Sequence, residues 1–281
     1  MPNEKIHIER NTVQETLIIP LFARKICTEQ FSDFFTDEKA MELMNRLDYD
    51  FSDVEKSSQT IIQRFGALEV AARQKAFGFE VEEYLKEHPS ASVVNLGCGL
   101  DQYIEKFDNG KCKFYNIDFP DIIEIREKLI EPSERVINIS TDLNDQSWFK
   151  KVDRDNGAIF FGSGVFYYFT AEQVKKLVNG MAEYFHEGVL LFDIASKKAS
   201  ETAIKTWIRN AGIDNVMTYF YVNSLDEHIN PWLKNATASY RRYMTGYFDL
   251  KEKSIPSLFR NFAKFIERVM KMKIIKIEFY A

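Results

Sequence analysis

The amino-acid sequence predicts a doubly wound α/β fold, in which a largely parallel sheet is covered by helices on both faces. Short, continuous apolar runs alternate with amphipathic helices from about residue 92 to residue 194, as is typical of strands buried on both faces. Two glycines one residue apart follow the first of these runs, in the sequence VVNLGCGLDQ. The 281 residues suffice for one elaborated α/β core, so we predict one structural unit with additions.

An N-terminal helical segment is predicted over residues 1–90. The stretch SSQTIIQRFGALEVAARQKAFGFEVEEYLKEHP, which ends at Pro89, has apolar side chains at helical intervals. Between about residues 11 and 88 the sequence contains no convincing strand. We therefore expect a helical layer that caps an α/β domain at residues 91–281.

Seven strands are predicted for the α/β domain. They are SVVNL at 92–96, KFYNI at 113–117, RVINI at 135–139, AIFF at 158–161, GVLLFDI at 188–194, VMTYFYV at 216–222 and KIIKIEFY at 273–280. A helix between the last two strands is expected to carry on one face Phe259, Phe262, Ile266 and Val269. A helical cap insert is expected at about 195–240, including a helix KTWIRNAG that Gly212 closes.

Charge and composition restrict the classes of function. The 37 basic and 42 acidic residues give a net charge of -5 without long blocks of one sign, so nucleic acid is not the favoured partner. Three cysteines and four histidines are scattered without metal-ligand spacing, and no metal site is predicted. The sequence has no N-terminal targeting pattern, and its longest apolar runs are too short to span a membrane. We therefore expect a cytoplasmic protein.

The glycine turn after the first strand of the domain predicts a nucleotide site. Ligands of open parallel sheets bind beyond the carboxyl ends of the strands, where glycine lets backbone amides come close. Gly97 and Gly99 are so placed, with Cys98 between them as a small residue of the turn. Gln102 stands where a dinucleotide fingerprint would have its third glycine. A lone glycine pair of this kind is also common in ordinary tight turns.

Acidic residues follow the next two strands. Asp118 ends the second strand, where its carboxylate can accept hydrogen bonds from the ribose of adenosylmethionine or of NAD. Asp142 follows the third strand and is expected to accept from the adenine amino group, with Leu143 packing on the ring. Each acid could instead cap a helix. Together with the glycine turn, the two acids favour an adenosyl ligand that lacks pyrophosphate.

The motifs carry a family resemblance. VVNLGCGLDQ, followed by YNIDFPDIIEIREKLI, resembles the leucine carboxyl methyltransferases and the tetracenomycin-type polyketide carboxyl O-methyltransferases. The resemblance extends over nearly the whole chain, because LFARKICTEQFSDFFTDEKA is similar to the family's N-terminal block and TDL to its adenine loop. It implies a seven-stranded Rossmann-like methyltransferase sheet and S-adenosylmethionine as the cofactor.

The resemblance also implies which residues bind the cofactor. They are Arg73, Gly97, Cys98, Gly99, Asp118, Asp142, Leu143 and Ser163. Arg73 would pair with the methionine carboxylate, to which a guanidinium fork is suited. Ser163 stands where the family commonly has a glutamate, and Gln102 and Tyr103 replace its threonine and arginine. An ionic contact to the cofactor is therefore expected to become a neutral one.

The function implied is O-methylation of a carboxylate of a small molecule, such as a polyketide-like or aromatic acid. A carboxylate is already ionised at pH 7 and needs no general base, so the protein has to position it and exclude water. Arg24 and Lys25 are candidate cations for the acceptor, Arg241 and Arg242 are weaker ones, and Tyr168 is a candidate wall of the site. An NAD-dependent oxidoreductase and a non-catalytic adenosyl-ligand-binding protein are the alternatives.

Overall fold

The computed structural model describes residues 5–8, 17–57, 59–203 and 219–280. Within these residues, two very short strands pair in parallel and seven longer strands form one sheet. The strands are β1 (Ile6–His7), β2 (Leu47–Asp48), β3 (Ser92–Leu96), β4 (Lys113–Asp118), β5 (Val136–Ser140), β6 (Ala158–Gly162), β7 (Val189–Ile194), β8 (Ala236–Arg241) and β9 (Lys273–Phe279).

Helices cover both faces of the large sheet. In the described residues they are α1 (Ile18–Gln30), α2 (Glu38–Asn45), α3 (Ser52–Ser57), α4 (Ile61–Glu87), α5 (Pro120–Leu129), α6 (Ala171–Tyr184), α7 (Lys197–Ala203), α8 (Leu225–His228) and α9 (Ser257–Met270). None of these helices is long and apolar enough to cross a membrane.

The order of strands in the large sheet is β5-β4-β3-β6-β7-β9-β8. The pairs from β5 to β7 are parallel, whereas β9 runs antiparallel to both of its neighbours. The chain moves from β3 outward to β4 and β5 and then returns to the other side of β3 as β6. The predicted doubly wound, seven-stranded fold is confirmed. Such a reversal of strand order leaves a crevice at the carboxyl ends of the strands, which is where ligands of open α/β sheets bind.

Alternation along the strands builds a core on each face of the sheet. Val93, Phe161 and Leu191 belong to the core shared with α1 and α4, whereas their neighbours Val94 and Phe160 belong to the core on the opposite face. All five side chains are almost completely buried. Because both faces are covered, strands β3, β6 and β7 contain nothing but buried residues, which explains their continuous apolar sequences.

Helix α4 places its N-terminal half above the carboxyl edge of the sheet. Its 27 residues span about 40 Å, more than twice the length of a five-residue strand. The helix ends close to the start of β3, and Thr60 caps its first turn by accepting a hydrogen bond from the Gln63 N–H. The helix packs against α1, and Phe65 near its N-terminus lies edge-on to the ring of Phe259 in α9.

The prediction of a strand at VMTYFYV was wrong over the part of the segment that the structure describes. Residues 219–222 form no strand, while residues 216–218 and the predicted helix KTWIRNAG lie outside the described residues. Phe220 and Val222 are buried, and this burial accounts for the apolar pattern that resembled a strand. The edge strand is β8, whose mostly exposed, polar sequence ATASYR gives little apolar signal.

Two further expectations need correction. The N-terminal region was predicted to lack strands, but Leu47–Asp48 pairs with Ile6–His7. In α9 the predicted apolar face is split: Phe259 is buried, whereas Phe262 and Val269 are more than two-fifths exposed. The stripe that these residues follow on the helix is therefore wider than the part of α9 that is buried.

Candidate functional site

The glycine turn follows β3 at the carboxyl edge of the sheet. Gly97 and Gly99 have φ values of +66° and +48°, a conformation that costs other residues more than glycine. The N–H groups of Gly97 and Cys98 both donate to the Ile117 carbonyl, at 2.8 and 3.1 Å. A Cβ on Gly97 would lie 2.5 Å from Cγ2 of Val165, so the tight turn also requires glycine for space.

Asp118 is oriented toward this turn. Its Oδ2 accepts a hydrogen bond from the Gly99 N–H at 2.8 Å, and its Oδ1 accepts from the Phe119 N–H at 2.8 Å. Burial raises the pKa of Asp118, and these two hydrogen bonds oppose the rise. The carboxylate is thus fixed beside the glycine turn, as a ribose-binding role requires.

Arg126 of α5 supports the turn from behind, which the sequence did not reveal. Its Nη1 donates to the carbonyls of Gly99 and Asp101, at 3.1 and 2.7 Å, and its Nη2 donates to Glu105 Oε1 at 2.9 Å. The side chain is almost fully buried. A buried charge is costly unless it is paired. Arg126 therefore holds the backbone of residues 99–105 in place, because its hydrogen-bond partners all lie in this segment.

The loop after β5 carries the predicted adenine contacts. Asp142 is exposed, and its Oδ1 accepts hydrogen bonds from the backbone N–H and the side-chain amide of Asn144, at 2.8 and 2.9 Å. Leu143 is buried, and its carbonyl accepts from the Trp148 indole. The Thr141 N–H donates to the Asp118 carbonyl at 2.9 Å, which joins this loop to the end of β4.

Arg73 of α4 contacts Asp193 near the end of β7 and lies beside Gly164 in the loop after β6. Its Nη1 donates to Asp193 Oδ2 at 2.8 Å, while Asp193 Oδ1 accepts from the Gly164 N–H at 2.6 Å. Burial lowers the pKa of Arg73, but Asp193, Tyr243 and Tyr167 together raise it by more, so the pKa lies above its ordinary value. The buried Nε of Arg73 has no hydrogen-bond partner among the described residues. A ligand carboxylate would satisfy it.

Ser163 lies between β6 and Gly164, so it is next to this ion pair in the chain. Gly164 has a φ of +74°, and a Cβ there would lie 3.6 Å from Arg73 Nη1. The loop after β6 therefore lies directly against the guanidinium. Ser163 is partly buried and occupies the position in which the family's glutamate was expected.

A second polar pair lies near Arg73 and was not predicted. The hydroxyl of Tyr243, which follows β8, donates to Glu69 Oε1 at 3.0 Å. Burial raises the pKa of Glu69 to about 7, although the hydrogen bond from Tyr243 and the charge of Arg73 both lower it. Burial also raises the pKa of Tyr167 well above its ordinary value, and the charge of Asp193 adds to the rise. Ionisable side chains from distant parts of the chain thus converge beside Arg73.

The predicted acceptor-positioning residues have different surroundings. Arg24 is buried, and its Nη1 donates to Asp37 Oδ2 at 2.7 Å and to Asp101 Oδ1 at 2.9 Å, so two carboxylates already balance its charge. The Nζ of Lys25 lies 3.1 Å from Oε1 of Glu29, one turn further along α1, and forms an ion pair with it. Tyr168 is 41% exposed at the end of a short turn after β6.

The strand order arranges the predicted cofactor contacts in a line. Asp118 is the last residue of β4, whereas Asp142, Gly97 and Ser163 come shortly after β5, β3 and β6. In the sheet these strands are consecutive in the order β5-β4-β3-β6. Three strand spacings correspond to about 14 Å. Asp193 extends the line at β7. In the part of the chain that the structure describes, no three His, Cys, Asp or Glu side chains are grouped to hold a metal ion, and Cys98 within the turn is buried.

Comparison with known families identifies a related group of proteins. A family model described as leucine carboxyl methyltransferase matches residues 10–182. The tetracenomycin polyketide synthesis O-methyltransferase TcmP of Streptomyces glaucescens is 26% identical over 182 residues, covering 64% of this chain and 65% of TcmP. The S-adenosyl-L-methionine-dependent methyltransferase dpfgK of Gibberella zeae is 24% identical over 198 residues, with the same two coverages. The chain thus spans 65% of the length of these curated relatives.

Solved structures with a similar fold support the same architecture. A proposed methyltransferase of Thermobifida fusca YX has a TM-score of 0.59 at 10% identity, over 92% of this chain and 94% of that one. A DUF574 family protein of Streptomyces avermitilis MA-4680 has a TM-score of 0.58 at 9% identity, over 92% and 97% of the two chains. At such low identity the likeness concerns the fold alone. The predicted family is confirmed by the sequence match, which favours neither the oxidoreductase nor the non-catalytic alternative.

Proposed function

Because the chain belongs to the leucine carboxyl methyltransferase family, we propose that it is an S-adenosylmethionine-dependent O-methyltransferase whose acceptor is a carboxylate of a small molecule. The observation that carries this proposal is the unpartnered, buried Nε of Arg73 beside the loop after β6. A buried donor without a partner is costly, and the carboxylate at the end of the cofactor's methionine is a suitable acceptor for it. The free side of the guanidinium and the glycine turn would then bind one elongated ligand.

In this proposal each part of the cofactor has its own residues. Asp142 and Leu143 bind the adenine, Asp118 accepts hydrogen bonds from the ribose, and Gly97 and Arg73 hold the methionine part. Cys98, Gly99 and Ser163 complete the surface by their backbone and small side chains. When bound, the cofactor supplies an electrophilic methyl group on a sulfonium.

The residues around the methyl group position the acceptor and keep water out. The N-terminal helices would form the cap over it, because α4 extends above the carboxyl edge of the sheet and packs against α1. Tyr168 would provide part of the wall. A carboxylate acceptor is already a nucleophile at pH 7, so the protein would contribute mainly orientation and desolvation. A polyketide-like or aromatic acid is the proposed substrate class, supported by the resemblance to TcmP.

The role of Arg73 can be tested with the variant Arg73→Lys. Lysine keeps the charge but loses the guanidinium fork, so we expect the affinity for adenosylhomocysteine to fall by about 10-fold to 100-fold, as for a lost charged hydrogen bond. Affinity for methylthioadenosine, which lacks the carboxylate, should stay within about two-fold. Both can be measured by isothermal titration calorimetry.

The matched control is Arg64→Lys, in the same helix, where the guanidinium donates to Gln30 and not to an acid. This variant should bind both ligands as the unmodified protein does. If Arg73→Lys weakened the binding of both ligands equally, the carboxylate-binding role of Arg73 would be wrong.

The activity itself is tested by incubating the protein with adenosylmethionine and a panel of carboxylic acids, and by detecting methyl esters by mass spectrometry. Binding of NADH without adenosylhomocysteine would reject the proposed function.

A further inference from the structure

Glu69 and Tyr243 form a polar pair that methyl transfer to a carboxylate leaves unused. Tyr243 is almost completely buried, and its hydroxyl donates to Glu69 Oε1. Tyr243 is held in place by α9, because Glu267 accepts hydrogen bonds from the N–H groups of Met244 and Thr245, at 2.7 and 3.1 Å. Two distant segments are thus fixed around one carboxylate.

The position of Glu69 places this carboxylate beyond Arg73. Residues four apart lie on the same helical face, and one turn of α4 carries Glu69 about 6 Å farther from the sheet than Arg73. Arg73 contacts the carboxyl edge of the sheet through Asp193 and Gly164. A cofactor tail bound by Arg73 would therefore lie closer to the sheet than Glu69 does. An acceptor has to approach the cofactor from the side on which Glu69 lies.

One oxygen of Glu69 is available to a ligand. Oε1 accepts from Tyr243, whereas Oε2 accepts no hydrogen bond from the described residues. The charged groups that act on it are Arg73 from its own helix, Asp193 from β7 and Glu267 from α9. Burial is the largest cause acting on the pKa of the Glu69 carboxyl and raises it; Arg73 lowers this pKa, and the two acids raise it.

We propose that Glu69, positioned by Tyr243, takes the proton from a hydroxyl acceptor, so that the site methylates phenolic or enolic hydroxyls in addition to carboxylates. This inference rests on the proposed cofactor site. In the step, the acceptor oxygen forms a bond to the methyl carbon while the bond between that carbon and sulfur breaks, and its electron pair stays on sulfur. The hydroxyl proton moves to Glu69 Oε2, and solvent receives it after the products leave. The products are a methyl ether and the neutral thioether.

The acidity of Glu69 suits this step. Burial raises its pKa to about 7, near the pH at which a general base is most effective. Below that pH the carboxyl is protonated and cannot accept the proton. Methylation of a hydroxyl should therefore rise with pH through about 7, whereas a carboxylate acceptor needs no base and should lack this rise.

The test uses the full chain, adenosylmethionine and two probe panels. One panel contains hydroxybenzoic acids, and the other contains their methyl esters, which offer only a phenol. Phenols ionise near pH 10, so their own titration is well separated from that of Glu69. Mass spectrometry locates the transferred methyl group, and kcat/KM is measured against pH for each acceptor.

In Glu69→Gln, kcat/KM for phenols should fall by about 100-fold to 10,000-fold, as for loss of a general base, and the rise with pH should disappear. Adenosylhomocysteine binding should be retained, which also establishes that the variant folds.

In Tyr243→Phe the hydrogen bond that lowers the Glu69 pKa is removed, so the rise of kcat/KM should move to higher pH. The matched control is Glu80→Gln, also in α4, where Glu80 accepts from Tyr247 at 2.7 Å. It should leave the rates unchanged.

The outcomes separate this inference from the proposed function. Methyl esters of the acids but no methyl ethers from the second panel would overturn the role of Glu69 and leave the carboxylate activity standing. Methyl ethers formed equally well by Glu69→Gln would overturn it too. Failure of the unmodified protein to bind adenosylhomocysteine would reject the cofactor site, and both proposals with it.

Discussion

Asp118 joins the fold to the proposed cofactor site through a single carboxylate. Both of its oxygens already accept backbone N–H groups, from Gly99 and from its own neighbour Phe119. These bonds orient the side chain before any ligand is present. Each carboxylate oxygen has more than one acceptor position, so Asp118 can still accept from two ribose hydroxyls. The residue thus stabilises the glycine turn and, in the proposed function, would bind the ribose at the same time.

The variant Asp118→Asn tests this double role. An amide offers one acceptor oxygen and no charge, so we expect the affinity for adenosylhomocysteine to fall by about 10-fold to 100-fold. Calorimetry measures the loss. Asp155→Asn is the control, because Asp155 is exposed in the loop before β6, at the edge of the sheet opposite the glycine turn. Equal affinities of Asp118→Asn and the unmodified protein would contradict the ribose-binding role.

Asp193 illustrates what could be read from the sequence at the scale of one residue. GVLLFDI places an acid in a strand that is otherwise apolar, and a buried acid requires a partner. That signal was present but could not name the partner, because Arg73 is 120 residues away in the chain. Glu69 and Tyr243 gave no comparable signal, since their pairing over 174 residues depends on how α9 fixes the segment after β8.

The strand-to-turn element at β3 depends on glycine for two separable reasons. Gly97 has a positive φ and also lies against Val165, whereas Gly110 has a φ of +79° with open space where a Cβ would be. The pair therefore allows conformational strain to be measured apart from steric overlap. In Gly110→Ala only the conformational strain is present, because the added methyl group meets no neighbouring atom.

We expect Gly110→Ala to lower the free energy of unfolding by about 1–2 kcal/mol, the cost of the left-handed conformation. Gly97→Ala should lower it by more, because the new methyl group overlaps Val165, and should also abolish adenosylhomocysteine binding. Urea denaturation and calorimetry measure the two effects. If both alanine variants lost the same stability and both bound the ligand, the close approach at Gly97 would not matter.

At the level of elements, the sequence predicted buried strands better than edges. Strands β3, β4, β6, β7 and β9 were found within a few residues of their bounds, because burial on both faces demands continuous apolar runs. Strand β5, at one edge of the sheet and only partly buried, was found too, because three of its five residues are apolar. Strand β8 was missed because it lies at the edge and is stabilised by its ladder with β9 more than by apolar burial. The segment 219–222 was predicted as a strand because a buried irregular segment can be just as apolar.

For the whole molecule, the proposed ligand would connect parts that are far apart in the sequence. The line from Asp142 to Arg73 would join the sheet to the N-terminal helices, so binding should stabilise the native state. With adenosylhomocysteine at one hundred times its Kd, the gain is about 2.7 kcal/mol, which corresponds to a rise in Tm of about 5–10 °C for a chain of this size.

Differential scanning fluorimetry can measure this rise, with NADH at the same concentration as the control ligand. NADH contains an adenosine but also a pyrophosphate, for which the turn lacks the third glycine. We therefore expect little or no rise with NADH. An equal rise with both ligands would mean that the site recognises adenosine alone and that the amino-acid tail contributes nothing.

The alkylation rates of the three cysteines report on local opening of the native protein. Cys27 in α1, Cys98 in the glycine turn and Cys112 before β4 are all buried, and burial raises the pKa of each thiol. Only the thiolate reacts readily with alkylating reagents, so modification of Cys98 has to wait until the turn opens. The rate of its alkylation therefore measures how often the proposed cofactor site comes apart while the rest of the chain stays folded.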